Sequence, residues 1–348
     1  MYSLNIFGNY STEIERLEKL SKLGDPLERL HFIQWDMFTP VLKKVFAKEK
    51  KGPGGRPPYS YLLMFKILIL QRMYNLSDDQ IEYQISDRFT FMRFLNLSLS
   101  DKIPDAKTIW LFRETLTKAE AIKPLFQIFE QQMEKEGLIT HNGTLVDATF
   151  VDVPKQHNSS DENKTIKEGH IPEDWTEDTP KARHKIAQKD VDARWAKKGA
   201  ETHFGYKNHA KVDADSKLIT DYVTTAASVH DSNVLIEFLT DKDRAIYADA
   251  AYYCKKNNTR LPAHIRNCMC IGGTKNRMLT AEQKAANKAH TRKRCRIEHV
   301  FGYMTNSMHG LTMRCIGIAR ATSSIGLTNL TYNLNRYCTI KRKMAVQG

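Results

Sequence analysis

The stretch Thr144-Leu-Val-Asp147-Ala-Thr149-Phe-Val-Asp152 decides how this chain is read. Aliphatic, β-branched and aromatic side chains dominate it, which predicts a buried strand. Asp147 stands in the middle of that apolar run, where a carboxylate is costly unless it is paired or holds a cation. Two later stretches repeat the oddity. Ala245-Ile-Tyr-Ala-Asp249-Ala-Ala-Tyr252 is another apolar strand pattern with a central Asp. Arg292-Lys-Arg-Cys-Arg-Ile-Glu298-His-Val-Phe301 is basic and helix-like, and Glu298 is its only acid. Three carboxylates on different elements can hold two Mg2+ ions, which take oxygen ligands and keep several waters; Mn2+ is expected to substitute. Two ions about 3.5–4 Å apart clamp the attacking and leaving oxygens of an in-line displacement at phosphorus. The plainer alternative is that each acid makes a salt bridge with a nearby Arg or Lys.

Composition bounds the function. The chain has 348 residues, 41% hydrophobic and 27% charged, which is globular rather than disordered and leaves room for two domains. Its net charge is +13, with Lys and Arg recurring in patches at 43–56, 181–198, 292–296 and 341–343. Spread basic patches point to an extended polyanion such as nucleic acid. The six Cys form no CxxC pair, which argues against a zinc site and fits a reducing cytoplasm. The longest apolar run, Leu62 to Leu70, is broken by Lys66 and is far too short to span a bilayer, so no membrane partner is expected.

Residues 1–137 read as helical. A basic segment ends in Gly52-Pro-Gly-Gly-Arg56-Pro-Pro58, which forbids helix and strand; it is either a plain linker or a backbone lying on phosphates through Arg56. Residues 61–74 are apolar nearly all round and predict a buried helix. Ser77-Asp-Asp-Gln80 is a capping box, and a short helix follows at 88–95. Asp105 caps a further helix on which Lys107, Thr108 and Arg113 are expected to face outward. These short helices fit either a helix-turn-helix or a generic bundle. Leu138-Ile-Thr, His141-Asn-Gly143 and the strand from Thr144 read as a β-hairpin, which sets the domain boundary at 137/138.

The second domain runs over 138–340. Residues 154–200 are a polar insertion or mobile loop, in which Trp175 and Trp195 either anchor the segment on the core or stack on an unpaired base. Strands follow at 204–213, 218–225, 245–249 and 269–272, with helices at 232–240, 288–308 and 319–337. That succession predicts an α/β fold, a ribonuclease-H-like mixed sheet flanked by helices behind an all-α N-terminal domain. Asp231 suits an N-cap of the helix at 232–240, and His230 stands either in the second shell of the acidic site or outside it.

The chain resembles the DDE transposases of bacterial insertion sequences, in the branch named after insertion sequence five. The resemblance is carried by Gly55-Arg-Pro-Pro-Tyr59, Tyr74-Asn-Leu-Ser-Asp78, Ile103-Pro-Asp105-x-Lys-Thr108, Val146-Asp-Ala-Thr149, Phe204-Gly-Tyr-Lys-x-His209, Tyr247-Ala-Asp-Ala-Ala-Tyr252, Arg296-Ile-Glu-His-Val-Phe-Gly302 and Gly326-Leu-x-Asn-Leu-x-Tyr-Asn333. It implies a catalytic and metal-binding triad of Asp147, Asp249 and Glu298, with Arg294 on DNA phosphate. Related families add a Tyr and a Lys where this chain has Thr291 and Thr305, so Arg292, Lys293 or Arg296 would have to substitute. The resemblance further implies double-stranded DNA partners (terminal inverted repeats and target DNA), a homo-oligomer on DNA, and a bacterial cytoplasmic, nucleoid-associated location. The competing functions are a derived DNA-binding protein that no longer cuts, and a metal-dependent nuclease without strand transfer.

Overall fold

The computed structural model describes residues 10–47, 58–273 and 278–347. The chain divides into two compact units, one of residues 1–121 with 334–348 and one of residues 122–333.

The first unit is helical: α1 (Tyr10–Lys22), 3-10 turns at Glu28–Phe32 and Trp35–Phe38, α2 (Thr39–Phe46), α3 (Tyr61–Met73), α4 (Asp78–Asp87), α5 (Phe89–Leu95) and α6 (Ala106–Lys118). Helix α3 has almost no polar positions and is buried nearly all round. Ser77 and Gln80 cap α4 reciprocally, at 3.2 and 3.0 Å, as their spacing predicts. Asp105 accepts from Thr108 N at 2.7 Å, and Glu82 of α4 accepts from Ala106 N at 2.7 Å. The free amides at the start of α6 are therefore satisfied partly by its neighbour, which fixes α6 against α4. Arg113 does not face outward. It donates to Asp78 at 2.6 and 2.8 Å and to Gln71 at 3.1 Å, and so ties α6 to α3 and α4.

The second unit begins with α7 (Ile122–Lys135), whose Phe126 packs edge-on against Tyr222 at 5.0 Å while Lys123 pairs with Asp221. The second compact unit thus begins at Ile122. The hairpin expected at 138–152 does not form. Residues 138–140 are not a strand, and the N–H groups of Thr140 and His141 donate to the Asp213 carboxylate at 3.0 and 3.2 Å. After β1 (Thr144–Asp152) come α8 (Ser160–Lys167), α9 (Glu173–Thr176), α10 (Pro180–Ala187) and β2 (Arg194–Lys198). The insertion is therefore structured. Trp175 is buried and donates to Glu162 at 2.9 Å, whereas Trp195 on β2 stays exposed.

Strand β3 (Glu201–Asp213) runs antiparallel to β1, from Thr144↔Asp213 to Asp152↔Gly205, and also pairs with β2 and β4 (Ile219–Ala226). Gly205 has φ +147, and a Cβ there would lie 2.3 Å from Val151 O, so the β1–β3 ladder requires glycine at this point. After α11 (Leu235–Phe238), β5 (Ala245–Tyr247) lies parallel to β1. After α12 (Lys255–Arg260), β6 (Arg266–Asn267) lies parallel to β5. These late elements are shorter than the sequence predicts. Asp249 lies just beyond β5, no strand forms at 269–272, and the helix expected at 232–240 is a 3-10 turn at Asp231–Asn233 followed by α11.

The chain then forms α13 (Ala281–Arg294), α14 (Arg296–Gly302), a π-helical turn at Tyr303–Ser307 and α15 (Ile318–Gln347). One face of the sheet buries Val146, Ile246 and Ala248 with Val234, Leu235, Phe238, Tyr252, Ile265 and Met269. The other receives α15 up to Asn333. There the Asn208 and Asn329 amides exchange hydrogen bonds at 2.8 and 3.1 Å, and Asn333 brackets the backbone of Ile219 at 2.9 and 2.7 Å. Gly326 is the point of closest approach, since a Cβ there would sit 2.3 Å from the Tyr222 hydroxyl.

Candidate active site

Leu145 of β1 faces Tyr247 of β5, and the two chains run parallel. Two residues further along stand Asp147, on β1, and Asp249, just beyond the end of β5, near enough that the charge of Asp249 raises the Asp147 carboxyl. Asp147 pairs with Ala210 and alternates with Val146, which puts it on the sheet face that carries Asn208 and α15. Its Oδ1 accepts from Ala148 N at 2.8 Å. Asp249 accepts from Ala251 N at 2.9 Å, a side-chain turn that ends the strand and pins the carboxylate. Glu298 lies in the first turn of α14, one turn after Arg294 at the end of α13.

Arg294 joins two of the three acids. Its Nη1 lies 3.4 Å from Asp147 Oδ2, and its Nη2 donates to Glu298 Oε1 at 3.0 Å. Burial pushes the Asp147 carboxyl up to about 6, and the negative charge of Asp249 adds to the rise. The Ala148 N–H, Arg294 and Lys198 pull the other way without cancelling it. Tyr252 lies in the same field. Burial holds its phenol well above the usual range, the charges of Asp147, Asp231 and Asp249 add to this, and its hydroxyl is buried without a hydrogen-bond partner among the described residues. Sequence reading did not single out Lys198 or Tyr252. Lys198 was one cation in a long basic patch, and Tyr252 read as the end of a strand.

A family model described as Transposase DDE domain matches residues 139–334, and a second, described as Transposase domain, matches residues 15–115. The chain belongs to the DDE transposase family. It is also similar to a cryo-EM structure of piggyBac transposase synaptic complex with hairpin DNA. That match is 9% identical, covers 92% of this chain and 76% of that one, and has a TM-score of 0.44, too low to bear on fold or function.

The other candidate residues of this DDE transposase chain are placed as follows. Arg292 and Lys293 are exposed on α13, with Lys293 Nζ 5.4 Å from the Tyr247 ring centre. Arg296 donates to Asp215 O at 3.1 Å, and Lys107 is exposed in the first turn of α6. Arg56 lies outside the described residues. His230, not Asp231, caps the 3-10 turn, its Nδ1 accepting from Ser232 N at 3.3 Å. Asp231 instead pairs with Lys207 at 2.7 Å. The donor chemistry of the triad fits a hard divalent cation: three carboxylates, no sulfur or nitrogen ligand, and an under-neutralised Asp147. The oxygens are nevertheless not gathered. Among the described residues no three His, Cys, Asp or Glu side chains stand close enough to hold a metal ion, and Arg294 bonds to Asp147 and Glu298 separately.

Proposed function

We propose that the chain is a DNA transposase of the insertion-sequence-five branch, cutting and joining DNA at a site held by Asp147, Asp249 and Glu298. The observation that carries this reading is the closeness of Asp147 and Asp249, each two residues past the paired Leu145 and Tyr247 of parallel strands, with Glu298 linked to Asp147 through Arg294. The order β4-β3-β1-β5-β6, antiparallel on one side of β1 and parallel on the other, supports a ribonuclease-H-like sheet. When bound, Mg2+ ions, or Mn2+ in their place, would supply charge neutralisation and Lewis acidity at phosphorus.

The chain's own contribution is position. Asp147 and Asp249 are held by paired backbone and a side-chain turn, while Glu298, 58% exposed, is the carboxylate with most freedom to adjust. Arg292, Lys293 and Arg296 would steer a phosphate backbone past these acids. At the site, water attacks one phosphodiester and the 3′ oxygen leaves as a hydroxyl. That hydroxyl then attacks a phosphodiester of target DNA, forming a new P–O bond while the target strand's own 3′ oxygen leaves and takes the proton. The helical unit would bind the terminal inverted repeats, with Lys107 on phosphate and Arg113 serving structure. Holding two ends together requires at least a dimer on DNA.

Labelled end DNA incubated with Mg2+ tests this. Nicking followed by joining supports a transposase. Nicking alone indicates a nuclease, and binding alone a DNA-binding derivative. Asp249→Asn is expected to keep end binding and lose cleavage by at least about a hundredfold, since an amide is a poor ligand for a hard cation. Undiminished cleavage in that variant would refute the site.

A further inference from the structure

Asp147 and Glu298 already share a cation, the guanidinium of Arg294. Its two terminal nitrogens reach the two acids separately, at 3.4 and 3.0 Å, and its side chain is only 18% exposed. A Mg2+ ion draws its ligand oxygens to about 2.0–2.1 Å and takes them in octahedral array. A planar guanidinium lying between Asp147 Oδ2 and Glu298 Oε1 occupies the ground those oxygens would have to cross. Both cannot be satisfied at once.

We infer that Arg294 is a built-in counter-ion that competes with the divalent cation for Asp147 and Glu298. This rests on the proposed reading of the three acids as a metal site. One guanidinium touches two of the three carboxylates, so with all three ionised the four groups together retain two negative charges and still attract a divalent ion. Arg294 therefore weakens metal binding rather than preventing it.

The test is Mn2+ binding to the full chain in the absence of DNA, followed by calorimetry and by the Mn2+ electron paramagnetic resonance signal. Arg294→Gln is expected to bind Mn2+ roughly fivefold or more tightly than the parent, the scale of one partly exposed ion pair removed. Arg294→Lys, which keeps the charge on a single ammonium, should fall between them. Equal or weaker binding by Arg294→Gln overturns the inference. If Asp147→Asn abolishes binding in the same assay, the reading of the triad survives that result; if Asp147→Asn binds Mn2+ as the parent does, both fall. Thermal melting without metal establishes that Arg294→Gln is folded. Should it not be, the Lys variant decides alone: tighter binding than the parent supports competition, and equal binding overturns it.

Discussion

Asp147 is folded into a place that disfavours its own charge. Its carboxyl sits at about 6 in the fold against an ordinary 3.8, so the folded chain holds a proton that the unfolded chain releases. Stability associated with this group is therefore present below about pH 3.8 and is lost as pH rises through about 6. Without metal, Asp147→Asn should be more stable than the parent at pH 7 by roughly 1–3 kcal/mol, with the gain vanishing near pH 4, by denaturant titration at both pH values. At Gly205 the expectation is the reverse. Ala would place a methyl against Val151 O at left-handed φ, and the melting temperature should fall by the equivalent of about 3 kcal/mol or more. The acids were legible because an Asp inside an apolar run is conspicuous. Arg294 as their present partner was not, since a basic segment gives no sign of which cation turns inward.

At the scale of elements, α15 is laid on the sheet by amides rather than by oily contact alone. Asn329→Leu leaves the buried Asn208 amide without its partner and should cost about 1–3 kcal/mol, part of which Asn208→Leu in the same chain restores. Arg113 holds α6 in a comparable way. Arg113→Ala should lower the melting temperature of the helical unit, whereas Lys107→Ala should weaken DNA binding and leave melting unchanged. Helices α4 and α6, with their Ser77 and Asp105 caps, were plain in the sequence. The failures have physical causes. Gly143 gave a turn signal, but it is glycine because Ala214 and Tyr247 crowd it, with a Cβ due at 3.1 and 3.2 Å. The strand pattern ran on past Tyr247 because Ala248 is packed in the core and its carbonyl still accepts from Cys270 N at 3.0 Å, although the regular strand ends at Tyr247.

For the whole molecule, the charge of +13 sets the expected response to salt. If six or more phosphates are neutralised, affinity for end DNA should drop about a thousandfold between 50 and 200 mM salt, and a flat response would exclude a phosphate-dominated interface. No described helix is long and apolar enough to cross a membrane. The segment between β1 and β3 reads in the sequence as a polar insertion or mobile loop, yet its end is tied into the fold. Asp190 accepts from the Tyr206 hydroxyl at 2.8 Å and from Gly317 N at 3.2 Å, and Asp192 accepts from Ile318 N at 2.9 Å. These two carboxylates stopper the leading end of the longest rod in the protein, where exposed N–H groups call for negative charge. A shortened chain that drops 160–187 and rejoins ahead of Asp190 should keep that rod wound to its tip; one trimmed past Asp192 should let it unravel from Ile318 inward, first seen as rapid amide exchange along its opening turn.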